Sequence, residues 1–159
     1  DAQIAAGLRS VNWPARLQPL GGRLHDMLPA GSELWLDGSH NAHGAAALAL
    51  SLEEMQARRT LPLVLIVGIM NTRPPRDFFA PFVPQNPRVF ALAIPGEPNA
   101  HPAAAIAAGA TANGLEVTTR ASVVTALRSA ARLGPARVVI CGSLYLAGDV
   151  LALHHTPPV

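Results

Sequence analysis

Leu63-Val-Leu-Ile-Val67 is apolar at every position and stops at Gly68. A run with no wet alternation must, as a strand, be covered on both faces, as in a parallel sheet with helices above and below. The chain repeats this theme from Leu34 onward. Residues 33–37 read as a strand, followed by Gly38-Ser-His-Asn and a helix over 42–58 in which Leu48, Leu52 and Met55 share a face. Residues 89–93 read as a strand, 102–113 as an alanine-rich helix and 115–118 as a short strand. Ser122 can cap a helix to Leu133, with Val124, Leu127 and Ala131 as its buried stripe and Arg128 and Arg132 on its wet side. Residues 138–141 form the last strand, and Gly142-Ser143 opens a helix to Leu153, in which Tyr145 and Leu146 read as core. This alternation predicts an α/β domain with a mostly parallel sheet and helices on both faces. Residues 1–32 read as a leading strand and connector of the same domain, 33–153 as the α/β body and 154–159, including His154-His155, as a flexible tail. The prolines, notably Pro74-Pro75 and Pro84 to Pro87, read as joints between elements.

Composition narrows the chemistry. The 159 residues (16.6 kDa) suffice for one core, half of them are hydrophobic, and the net charge is +2. All 12 basic residues are arginines. Without lysine the chain itself can supply neither a P-loop cation nor a Schiff-base amine. There is no block of like charges interleaved with aromatics, and aromatic content is 4%, which argues against nucleic-acid binding. No apolar run approaches the ~18 residues of a membrane span, and no signal peptide is visible, so no membrane partner is expected. The single cysteine, Cys141, cannot pair internally and reads as a small buried hydrophobe, in keeping with a cytoplasmic location. A chain starting at Asp1 suggests a domain of a longer protein.

In open α/β sheets, ligands bind beyond the carboxyl ends of the strands. Three strand ends here are rich in polar groups: Asp37-Gly38-Ser39-His40-Asn41, Gly68 to Arg73 with Asn71 and Thr72, and Gly142-Ser143. A parallel sheet puts all three on one edge. An aspartate there can hold a ribose diol, and helix N–H groups favour anions. These are equally good turn and N-cap residues, so on spacing alone a structural role and a ligand role are both open. His40 and His43 have no third ligand at zinc spacing, so no metal site is expected within the chain.

Leu36-Asp37-Gly38-Ser39-His40-Asn41-Ala42-His43-Gly44 resembles the DGAHNPHA signature of the folylpolyglutamate synthase and dihydrofolate synthase family. Trp13-Pro14-Ala15-Arg16 resembles that family's WPGR segment, and Gly142 to Val150 is similar to its GSLYLxGEV segment. The three motifs occur in family order and resemble its C-terminal domain, a Rossmann-like three-layer module shared with the Mur ligases. The resemblance implies ATP-dependent amide ligation: ATP phosphorylates a carboxylate of a pteroate or folate, and glutamate attacks the acyl phosphate. It places the P-loop and most magnesium ligands in an N-terminal domain, the implied partner of this one, so this chain alone is expected to be inactive. On the matched positions it implies that Arg16 reaches the ATP phosphates and Asp37 the ribose. His40, the implied catalytic residue, lies with Asn41 near the nucleotide, and Ser143, Asn71 and Arg73 lie on the glutamate side.

The chain departs from the family pattern at Ala15, where the family has glycine, at Ser39 for alanine and at Ala42 for proline. Met70-Asn71-Thr72-Arg73 stands where the family often carries an MxDKD-type stretch, and arginine is not an equivalent donor to lysine. These departures motivate the alternative of a non-catalytic α/β nucleotide- or partner-binding module. A surface role for Arg16 over Trp13 and a capping role for Ser143 are further structural alternatives.

Overall fold

The computed structural model describes residues 14–155. The apolar runs pair into one six-stranded sheet. In chain order the elements are β1 (Gln18–Pro19), α1 (Gly22–His25), β2 (Glu33–Leu36), α2 (Ala42–Arg58), β3 (Leu63–Val67), α3 (Pro75–Phe79), a 3-10 turn (Ala80–Gln85), β4 (Arg88–Ala91), α4 (Ala103–Ala112), β5 (Val117–Thr119), α5 (Val123–Ala131), β6 (Arg137–Cys141) and α6 (Leu144–His155). The strand order is β1-β2-β6-β3-β4-β5. All neighbours are parallel except β1, which runs antiparallel to β2 through Gln18 opposite Leu36.

Successive side chains of a strand point to opposite faces, and here both faces are dry. Val64 and Ile66 of β3 join Leu36, Val138 and Ile140 under α1, α5 and α6. Leu63, Leu65 and Val67 join Val139 and Cys141 under α2, α3 and α4. Every residue of β3 and β6 is buried. Each fully buried Val, Leu or Ile contributes roughly 1.5–3 kcal/mol, so this double coverage is the main source of stability. The result is the three-layer α/β arrangement. No helix of the described residues is long and apolar enough to cross a membrane.

Several local expectations need correction. The buried face of α5 is Val123, Ala126, Leu127 and Ala130, with Val124 and Ala131 only partly covered. The cause is the capping box: the Ser122 hydroxyl accepts from the Thr125 N–H (3.2 Å) while Thr125 Oγ1 accepts from the Ser122 N–H (3.0 Å), which sets the helix phase. Pro75 starts a helix rather than a loop, since proline is suited to the first helical turn. The α3 and 3-10 segments bury Phe78, Phe79 and Phe82, with the Phe78 and Phe79 rings edge to face at 5.7 Å. Tyr145 is 57% exposed rather than core, and His154 and His155 close α6 rather than fraying from it. Trp13 and residues 156–159 lie outside the described residues.

The amino-terminal edge of the sheet is closed by charge. Arg137, 1% exposed, donates from Nε to Glu33 Oε2 (2.6 Å) and from Nη2 to Glu33 Oε1 (3.2 Å), and also donates to Gln56 Oε1 and the Arg59 carbonyl. The Arg137 hydrogen bond holds the Glu33 carboxyl below its ordinary range, helped by donation from the Trp35 indole and the Arg59 charge, against the opposing effect of burial. The carboxyl edge is open.

Candidate functional site

β2, β6 and β3 are adjacent and parallel, so the three polar loops leave the sheet side by side. They are joined by backbone: Gly142 N–H donates to the Ser39 carbonyl (3.0 Å) and Gly68 N–H to the Cys141 carbonyl (3.3 Å). Gly142 has φ +109, and a Cβ there would lie 2.5 Å from the Gly68 carbonyl oxygen, so the closeness of the loops requires glycine.

The first loop is organised by Asp37. Its Oδ1 accepts from the Ser39 N–H (2.9 Å), and its Oδ2 reaches back to accept from the Leu17 N–H (2.8 Å). Gly38 N–H donates to the Ala15 carbonyl (2.6 Å), and Ala15 N–H donates to Gln18 Oε1 (3.0 Å). The turn bearing Arg16 is thus docked on the Asp37-Gly38 loop. Ala15 (φ +60) and Leu17 (φ +42) both occupy left-handed backbone, which is costly for residues with a Cβ. Ala15 therefore holds a conformation that glycine would adopt without strain.

His40 is exposed, with Nδ1 3.1 Å from the Gly38 carbonyl. In the tautomer protonated at Nδ1, its Nε2 is an acceptor. Asn41 caps α2, its Oδ1 accepting from the Gly44 N–H (2.8 Å). Arg16, Asp37, His40 and Asn41 line one open cleft of about 840 Å³, closed on one side by Leu144. The wall includes the first turn of the 17-residue α2, whose dipole favours an anion. A cation, a helix N-terminus and the partnerless buried hydroxyl of Ser39 form a donor set that fits a phosphorylated ligand.

The remaining residues read from sequence lie elsewhere. Ser143 is 1% exposed, and its Oγ accepts from the Tyr145 N–H (3.0 Å), so in this structure it shapes the start of α6. Asn71 and Arg73 are exposed on the loop after β3 and do not line the cleft. That loop is tied to the one after β4: Asn71 N–H donates to the Asn99 carbonyl (2.7 Å), and His101 Nε2 lies 2.9 Å from the Arg73 carbonyl. His101 and Leu144 are two residues that sequence reasoning missed. His101 sits in no motif, and Leu144, though inside the 142–150 motif, has no role assigned to it there. The Cys141 thiol is pushed well up by burial and by the neighbouring Asp37 charge, which leaves it protonated and unsuited to nucleophilic work. Among the described residues, no group of three or more His, Cys, Asp or Glu is placed to hold a metal ion.

The fold is similar to that of a bifunctional folylpolyglutamate synthase/dihydrofolate synthase solved with Mn, AMPPNP and L-glutamate bound, at 23% identity and a TM-score of 0.78 over 98% of this chain and 35% of that one. The Yersinia pestis enzyme complexed with AMPPNP and Mn gives 22% identity and a TM-score of 0.76, over 98% and 35% of the two chains. Mycobacterium tuberculosis folylpolyglutamate synthase, complexed with ADP and AMPPCP, gives 24% and 0.71 over 99% and 36%. The chain thus spans about a third of the length of these proteins. No curated protein matches it. Residues 24–153 match the family model described as dihydrofolate synthetase, C-terminal domain. With most of its length matched, the chain belongs to the dihydrofolate synthetase C-terminal domain family.

Proposed function

We propose that this chain is the closing domain of a cytoplasmic ATP-dependent folate-glutamate ligase and that its cleft covers the nucleotide. The observation that carries this reading is the docking of the Arg16 turn onto Asp37-Gly38 beside the N-terminus of α2. The similar proteins that hold AMPPNP, ADP or L-glutamate add support. In such a reaction ATP phosphorylates a folate or pteroate carboxylate, which the glutamate amine then attacks.

Within that chemistry Arg16 neutralises charge on the phosphates as the domain closes. Asp37 lies at the ribose end of the cleft. His40 offers Nε2 toward the nucleotide and the reacting centre, while Asn41 keeps the α2 N-terminus capped and in place. Asn71 and Arg73, on the adjacent loop, face the glutamate, and Ser143 shapes the turn beside them. An N-terminal P-loop domain supplies the lysine that this chain lacks and most of the magnesium ligands.

In the full-length enzyme, Arg16→Ala is expected to raise the KM for ATP about tenfold or more, the loss of one charge-assisted contact. An unchanged KM would remove the site assignment. The departures at Asn71-Thr72-Arg73 favour a second reading, a nucleotide-binding module without ligase activity. That reading is selected if the full-length protein binds ATP but forms no glutamate amide.

A further inference from the structure

We infer that Asp37 is a positioning residue whose carboxylate sets the reach of Arg16 into the cleft. The inference rests on the nucleotide reading above and adds to it a role for a carboxylate that, from the motif alone, would be given only to the ribose. Both of its oxygens are engaged by backbone: Oδ1 by the Ser39 N–H at 2.9 Å and Oδ2 by the Leu17 N–H at 2.8 Å. The second bond spans 20 positions and ends on the residue next to Arg16. The turn it holds does not suit its own sequence. Ala15 and Leu17 flank Arg16, and both have positive φ, a conformation that persists only where surrounding contacts over-determine it. Here those contacts are the Asp37 carboxylate on one side, the Gly38 N–H on the Ala15 carbonyl (2.6 Å) beneath, and Gln18 Oε1 on the Ala15 N–H (3.0 Å) behind. Hydrogen bonds to an ionised carboxylate are shorter and stronger than neutral ones, so Asp37 is the dominant clasp. An asparagine at position 37 has one accepting oxygen and an amide NH₂. It can satisfy one of the two N–H groups and must turn a donor toward the other.

The test is a double-mutant cycle in the full-length ligase, reading the KM for ATP, the KM for 2′-deoxy-ATP and kcat. Asp37→Asn is expected to raise the KM for ATP about tenfold when Arg16 is present, and by less than about twofold in an Arg16→Ala background, because groups acting through one another are not additive. The KM for 2′-deoxy-ATP is expected to rise in Asp37→Asn as well, since a nucleotide without the 2′-hydroxyl still depends on the reach of Arg16. Gln18→Ala loosens the same turn from its other side without touching Asp37, and it should show the same dependence on Arg16. This variant carries the test if Asp37→Asn does not fold. Additive effects of Asp37→Asn or Gln18→Ala with Arg16→Ala overturn the inference, as does a KM for 2′-deoxy-ATP that Asp37→Asn leaves unchanged. If Arg16→Ala alone leaves the KM for ATP unchanged, the nucleotide reading fails and this inference falls with it. Additivity in an enzyme that Arg16→Ala damages overturns this inference alone.

Discussion

Arg137 and Glu33 show what a single charged pair does in this chain. The guanidinium is buried, all its contacts are at the start of the sheet, and Glu33 retains 22% exposure of its side chain. Removing one partner of such a pair strands the other charge. Glu33→Gln is therefore expected to destabilise the domain by about 2–3 kcal/mol at neutral pH, measured by urea unfolding. The pH dependence has a definite sign. The folded pKa of Glu33 lies below its unfolded value. Its contribution is complete above the unfolded value, declines as the pH drops through it, and is gone below the folded value. In Glu33→Gln that part of the acid-side slope should vanish, and an unchanged slope would falsify the assignment. At this scale the sequence is legible wherever chemistry is local. Asp37, His40 and Asn41 stand together in one segment, and Cys141 reads correctly as buried. What cannot be read is the backward reach of Asp37 to Leu17, because no local pattern specifies a contact 20 positions away. The exposure of Tyr145 is equally hidden, since helical periodicity alone does not say which turn emerges from the core.

Packing between elements depends on a glycine. At Gly109 of α4 a Cβ would sit 2.8 Å from the Arg76 backbone nitrogen and 2.9 Å from Pro75 Cβ, so α3 approaches through the gap this residue leaves. Alanine has the better helix propensity by about 1 kcal/mol, but the clash is with backbone and cannot be relieved by a rotamer change. Gly109→Ala is expected to cost about 1–3 kcal/mol net, seen as a lowered thermal midpoint, and a midpoint at or above the wild type would show that α3 shifts freely. The strongly periodic and fully apolar elements are legible almost to their ends: α2 spans the expected 42–58 and β3 the expected 63–67. The segment 75–85 is not, because five of its residues are consecutive helix and the next six a 3-10 turn, both short and each with proline in its first two positions. In α5 only Leu127 of the three expected stripe residues is buried, beside Val123, Ala126 and Ala130, since the capping box decides where the helix begins.

For the molecule as a whole, the alternating pattern reveals the layers and the parallel sheet, because a doubly apolar strand admits few other settings. The strand order is beyond it. That β6 inserts between β2 and β3 depends on long-range pairing, and this insertion brings the three polar loops to neighbouring positions. The two apolar clusters lie on opposite faces of the same strands, so neither can melt while the other keeps its floor. Unfolding of the chain in urea is expected to give coincident transitions by far-ultraviolet circular dichroism and tryptophan fluorescence, whereas separated midpoints would mean that the faces are independent. The same sheet carries one further consequence. The turn that carries Arg16 is fastened to the end of β2 on both sides of that residue, by Leu17 to Asp37 and by Gly38 to Ala15. The backbone under the guanidinium is thus riveted to the sheet edge, so the base of that side chain moves only when the edge itself moves.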